Sequence, residues 1–387
     1  MVSLPSRFIP NPTPCGCSRR EFLWQVGGGF AGLALLDLLG RDGFLAAETR
    51  RDEPGGSLKP PHFAAKAKHV IFLFMNGAPS QVDTFDPKPA LVKFHGSAYK
   101  GKTPVGSNNR PIGHLMKSPF AFQKYGKSGL EISSLFPYTS QFADDLCVIR
   151  SLYTDTAAHA SGCLQMNTGS VQIGKPCLGS WLSYGLGSLN ENLPSFVVMT
   201  DPRGGPIGSA SNWSAGFMPA SHQGTLFRAQ GTPLLDLGTP PGVDNPTQRR
   251  ALDLLGDLNR EHEKKFPNET ELAARIQTYE LAYRMQTAAA EAVNLANESA
   301  KTREMYGLNE KMTSDFSRKC LIARRLVEKG VRFVQLYSGG GHLEDTWDGH
   351  SDCINNHKLH AGETDRPIAA LIADLKRTGL WDETLLI

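Results

Sequence analysis

"SDFSRKCLIARRLVEKGVRFVQLYSGGG", from Ser314 to Gly341, contains the organising pattern of the whole chain. Cys320, Leu321, Ala323, Leu326 and Val327 recur at helical spacing, Gly330 stops the helix, and an apolar run then enters a glycine loop. Helix, buried strand, glycine-rich loop is the rhythm of an α/β fold with a mostly parallel sheet. Three more runs read as strands: "KHVIFLFMNGAPS", with its strand from His69 to Met75, "DLCVIRSLY" at 145–153, and "PSFVVMT" at 194–200. The final stretch, "AALIADLKRTGLWDETLLI", reads as a helix from about Glu363 to Thr378, a turn, and an apolar strand opening at Glu383. A parallel strand is followed by a loop that carries functional groups. The stop at Ile387 therefore reads as truncation in mid-strand.

Away from this rhythm the texture changes. Residues 246–307 are charged, alanine-rich and nearly free of proline, and read as two helices inserted into the sheet domain as a cap or arm. Residues 48–67 are rich in glycine, proline and charge and read as a linker, so the α/β domain spans 68–387. Ahead of it, Arg19 and Arg20 precede a weakly apolar, glycine-broken run ending at Leu39. Residues 1–47 thus read as a twin-arginine signal peptide, and the run suits a stable bilayer span poorly. The expected location is periplasmic or extracellular. Of seven cysteines, Cys15 and Cys17 would leave with the signal, and the remaining five contain no CxxC pair of the structural-zinc type. A formal charge of +3 encodes no pull toward nucleic acid, and 387 residues at 40% hydrophobic can bury a large core.

Ligands of open α/β sheets bind beyond the C-terminal ends of the strands. Three loops qualify: "NGAPSQVDTFD", "TDTAAHASGCLQMNTGS", and the run from Gly339 to Asp365, which packs four histidines and six carboxylates into 27 residues. Candidate ligands are Asp83, Asp86, Asp155, His159, Asp345, Asp348, His350, His357, His360 and Asp365. Asp and His without cysteine suit a divalent metal such as zinc, manganese or calcium. Each has a plainer reading: Asp83 and Asp86 as turn and helix-cap groups, His159 as a satisfied histidine, and Asp365 as a helix-start carboxylate. At helical i, i+3 spacing, one of His357 and His360 could face solvent. Asp348 and His350 stand out, because three glycines precede them and Trp347 adjoins them.

"HVIFLFMNGAPSQVDTFDPKP", "HASGCLQMNTG", "CLIARRLVEKGVRFVQLYSGGG" and "WDGHSDC…ETDRPIAALIADLKRTGLWDETLL" together resemble the domain-of-unknown-function 1501 family. These are exported sulfatase-like proteins, divergent relatives of the alkaline phosphatase and sulfatase superfamily. The resemblance implies a three-layer αβα sandwich and a two-metal hydrolase of sulfate or phosphate esters, small-molecule or polysaccharide. In the superfamily the first strand ends in a metal-binding aspartate, a place taken here by Asn76. The nucleophile there lies ten residues before the glycine of a Thr-Gly pair. Counting back from Gly169 gives His159, with Ser161 two residues on. The later Asp-x-x-x-His ligand pair corresponds to "DTWDGH", with Asp345 or Asp348 as the acid and His350 as its partner, and Asp365 could extend the site.

Two functions are carried forward: an exported metal-dependent ester hydrolase using His159 as base or nucleophile, and a non-catalytic binding or scaffold protein on the same fold. The export signal has a direct test. Replacing Arg19 and Arg20 together by Lys is expected to hold the chain in the cytoplasm at full length, because the paired guanidinium groups are receptor-read. A double variant that cell fractionation finds exported and shortened as well as the parent would rule the signal out.

Overall fold

The computed structural model describes residues 63–101, 113–234, 237–239, 242–266 and 270–387. The twin-arginine segment and most of the linker fall outside the described residues. Lys66–Ile387 form one compact unit. Its first strand is β1, His69–Met75, whose seven residues read HVIFLFM. A continuous apolar run is what a strand needs when both of its faces are covered. Alternate side chains leave on opposite sides. Ile71, Leu73 and Met75 join one hydrophobic core, and Val70, Phe72 and Phe74 join another.

Short helices α1 (Gln81–Thr84) and α2 (Pro89–Lys93) follow β1, and strands β2 (Phe122–Tyr125) and β3 (Leu130–Ser133) pair as a separate antiparallel hairpin. Then come α3 (His159–Thr168), α4 (Leu178–Leu186), β4 (Phe196–Met199) and β5 (Thr225–Leu226). Helices α5 (Asn245–Lys265), α6 (Thr270–Val293), α7 (Ala300–Tyr306) and α8 (Ser314–Glu328) lead to β6 (Phe333–Ser338), α9 (Cys353–Thr378) and β7 (Thr384–Leu386). The main sheet has the order β5-β4-β6-β1-β7, and all its pairings are parallel. The expected α/β class with a mostly parallel sheet is therefore present. One core gathers residues of α6, α8 and α9 against the sheet; the other gathers Cys163, Cys177 and Trp213. Among the described residues, no helix is long and apolar enough to cross a membrane.

Two expectations are corrected. "DLCVIRSLY" is not a strand: Ile149, Leu152 and Tyr153 are 60%, 66% and 82% exposed. Both flanks of β1 are already taken by β6 and β7, so this run has no place beside it. The last helix begins at Cys353, ten residues earlier than expected, and runs through Pro367. Glu363, Asp365 and Pro367 together imitate a helix start in sequence, since acids and proline both suit a first turn. The two helices of the inserted region differ in how they pack. Whereas α5 buries no residue, Met285, Ala289 and Ala292 of α6 lie in the main core.

α8 and α9 are joined by a buried ion cluster. Arg324 donates to Asp374 at 3.0 Å, to Glu298 at 2.6 Å and to Glu328 at 2.6 Å, and the Tyr306 hydroxyl donates to Asp374 at 3.1 Å. Burial, aided by the Asp374 charge, pushes the Tyr306 phenol well above its ordinary range, so it stays a donor. Removing Asp374 leaves the Arg324 Nε and the buried Tyr306 hydroxyl without their acceptor, although Glu298 and Glu328 still face the guanidinium. Asp374→Ala is expected to lower unfolding free energy by about 3 kcal/mol in urea. A loss below about 1 kcal/mol, the scale of an exposed pair, would refute this account.

Candidate metal centre

At the C-terminal end of β1 the chain turns through Gly77 and Ala78, both with positive φ, at 94° and 66°. The conformation is cheap for glycine alone. There is also no room for a side chain: a Cβ on Gly77 would lie 2.4 Å from Thr346 Oγ1 and 2.8 Å from the Asp348 nitrogen. The loop after β6 therefore lies directly on this turn. Trp347 pins it. The indole is buried, donates to Ser338 Oγ at 3.1 Å, and packs on His357 and His360, while its backbone nitrogen donates to the Asn76 carbonyl at 2.8 Å. The next backbone nitrogen, of Asp348, donates to Thr346 Oγ1 at 3.1 Å.

With the loop fixed in this way, Asp348 Oδ2 lies 2.8 Å from His159 Nε2 and 2.5 Å from His350 Nε2. His159 comes from the first residue of α3, in a different loop. One ligand atom from each residue falls within 4.8 Å of the others, the sole such group among the described residues. His350 is half exposed, so the cluster opens to solvent. The set fits a divalent metal in chemistry: two imidazole nitrogens and a carboxylate oxygen suit zinc or manganese better than calcium, which takes oxygen ligands. Bound nitrogens and oxygens stand somewhat farther apart than 2.5–2.8 Å, so loading needs a small outward shift of His350 or His159.

The other candidates have different partners. Asn76 is fully buried; its Oδ1 accepts from the Ile207 nitrogen at 3.2 Å and faces Cys163 Sγ at 3.7 Å. Asp83 accepts from Ser80 Oγ at 2.6 Å, and Asp86 pairs with Lys88 and Arg150. Asp155 accepts from Gln165, and Asp345 is exposed on a short 3-10 turn. The Ser161 hydroxyl lies 3.3 Å from the Ala158 carbonyl and 3.2 Å from Thr156 Oγ1. Both α9 histidines are buried, so neither faces solvent. His357 Nε2 accepts from the Ser80 nitrogen at 2.8 Å, which assigns its proton to Nδ1, facing the Cys353 carbonyl; burial pulls its basicity down. Asp365 caps, but not its own helix. Its carboxylate accepts from the Tyr138 and Thr139 nitrogens at 2.8 and 2.7 Å, and burial keeps its acidity weak despite these bonds.

One group escaped sequence reasoning. Arg203 forks between Asp201, at 2.7 and 2.9 Å, and Glu363, at 3.1 and 2.9 Å. Asp201 also accepts from the Gly339 nitrogen at 2.9 Å, so the fork ties the loops after β4 and β6 to α9. Burial alone would raise the Asp201 carboxyl, but bonds from Arg203 and the charge of Lys319 hold it below its ordinary range. An acid-x-arginine pair beside two glycines, "DPRGG", was the available signal.

The Gly77 contact makes a measurable claim. Gly77→Ala is expected to weaken zinc binding about tenfold or more, in a chelator-competition titration, by displacing the Asp348 backbone. Gly96→Ala, also at positive φ but facing open space, serves as the strain control and leaves affinity unchanged. Equal effects from the two would show that the contact is immaterial.

No curated protein and no solved structure matches the chain significantly. The family described as "Protein of unknown function (DUF1501)" matches residues 67–387. The match takes in β1, α3 and the loop after β6, the elements that build the cluster, and the chain belongs to the DUF1501 family.

Proposed function

We propose that this protein is an exported, divalent-metal-dependent hydrolase of sulfate or phosphate esters, built on an αβα sandwich of the alkaline phosphatase type. The observation that carries the reading is the meeting of His159, Asp348 and His350 beyond the C-terminal ends of the parallel strands. Zinc or manganese is the metal favoured by these donors, and when bound it supplies Lewis-acid stabilisation of developing negative charge. The chain adds a second positive influence. His159 opens the ten-residue helix α3, so the free N–H groups and dipole of its first turn favour an oxyanion beside the cluster. With Ser161 bonded to Thr156 and Ala158, water is the nucleophile in this reading, and His159 is a ligand rather than the attacking group.

The binding or scaffold alternative keeps one specific support: Asn76 Oδ1, at the place of the superfamily's aspartate, is committed to Ile207. Two measurements on the purified protein separate the readings. Elemental analysis is expected to find bound zinc or manganese, lost in His350→Ala and Asp348→Ala. Aryl sulfate or aryl phosphate turnover is expected to fall by about two orders of magnitude or more in the same variants. Metal bound without ester turnover would favour the scaffold reading, and absence of metal in the parent would end the hydrolase reading.

A further inference from the structure

The opposite end of the sheet carries a separate group of reactive side chains. Ser183, on α4, places its hydroxyl 2.7 Å from Ser195 Oγ and 3.0 Å from His222 Nδ1. Ser195 stands just before β4, and His222 ends the 3-10 turn Ala220–His222. Tyr184 fixes the imidazole edge-on, with ring centroids 5.3 Å apart and planes at 83°. Burial pulls the His222 imidazole below its ordinary basicity, so the neutral ring, a proton acceptor, prevails at neutral pH. Ser183 is buried, whereas Ser195 is half-buried and lines a cavity of about 570 Å³ with Ser221, Gln223, Thr225, Leu281 and Arg284. A hydroxyl on a cavity wall, linked within hydrogen-bond reach to a neutral imidazole that an aromatic ring orients, has the build of an activated nucleophile.

We propose that Ser195 is the nucleophile of a second hydrolytic site, acting on carboxylic esters small enough for this cavity. Ser195 Oγ bonds to the ester carbonyl carbon as its proton passes to Ser183 Oγ and the Ser183 proton passes to His222 Nδ1. The carbonyl–oxygen bond to the alcohol breaks, and the leaving oxygen takes a proton back along the same chain. Water then attacks the acyl-serine, releasing the carboxylic acid and restoring the Ser195 hydroxyl. Ser183 and His222 are positioning and relay groups that need not touch the ester. Gln223, on the same wall, offers an amide donor for the carbonyl oxygen. Nothing in this site depends on the metal cluster.

The test treats the full chain with a tagged fluorophosphonate and locates the adduct by peptide mass spectrometry. One adduct is expected, on Ser195, absent in Ser195→Ala and unchanged in His350→Ala. His222→Gln and Ser183→Ala are expected to slow the maximal labelling rate at least tenfold while the probe's half-saturating concentration and the thermal midpoint stay fixed. A loss of relay lowers the rate alone, whereas damage to packing would move all three. No adduct on the parent chain, or an adduct that survives Ser195→Ala, overturns the proposal. Equal labelling rates in the His222→Gln variant and the parent overturn the relay.

Discussion

Burial of β1 on both faces and along both edges is the constraint from which the rest of the arrangement follows. A strand enclosed this way is built from a near-continuous apolar run, here Val70 to Met75, and its parallel neighbour β6 ends level with it. Register makes that literal: Met75 lies opposite Ser338, so Asn76 and Gly339 leave the sheet side by side. The two loops that follow are thereby placed in contact before any ligand chemistry is considered. Lys319 strengthens the same end. Fully buried, it donates to the Tyr337 carbonyl at 3.0 Å and pairs with Asp315 at 2.9 Å, satisfying a strand-end acceptor next to the site.

Glycine in these loops serves proximity. Gly340 lies where a Cβ would come within 2.3 Å of the Gly204 carbonyl, and the Gly341 nitrogen donates to the Gly205 carbonyl at 3.1 Å. The loops after β4 and β6 are zipped backbone to backbone, with the Asp201–Arg203–Glu363 fork as their electrostatic lock. Asp348 sits on this rigid base, while His350, two residues on, is exposed. A fixed carboxylate beside a more exposed imidazole would let the cluster adjust to a cation, were one bound, without disturbing the sheet.

The fold was readable wherever an element announced itself locally. The helix and strand between Ser314 and Ser338 follow from apolar periodicity and a stopping glycine, and β1 follows from an unbroken apolar run. Residues 145–153 carry the same strand-like composition yet stay exposed, because a run's place in a sheet depends on which neighbours claim the edges first. Asp365 shows a subtler limit. Its capping role was legible, but the 3-10 helix it caps, Thr139–Asp145, lies more than 200 residues earlier. For the cluster, all three residues stood among the candidates; their convergence on one oxygen did not. Spacing along a chain reports neighbours within an element, whereas the meeting of His159 with Asp348 depends on β1 and β6 being adjacent. The Arg203–Glu363 pair was hidden for the same reason.

The wiring of that cluster has a consequence for the folding topology. His159 and Asp348 are separated by nearly half of the chain, including the whole inserted helical region. A cation held between them would act as a reversible staple across that span, since a cross-link that closes a long loop restricts the unfolded ensemble more than one that closes a short loop. That span holds β4, β5 and β6 as well as α5, α6 and α7, so the restraint would act on sheet and inserted helices together. Chelation would loosen the molecule in the middle of its sequence rather than at its ends.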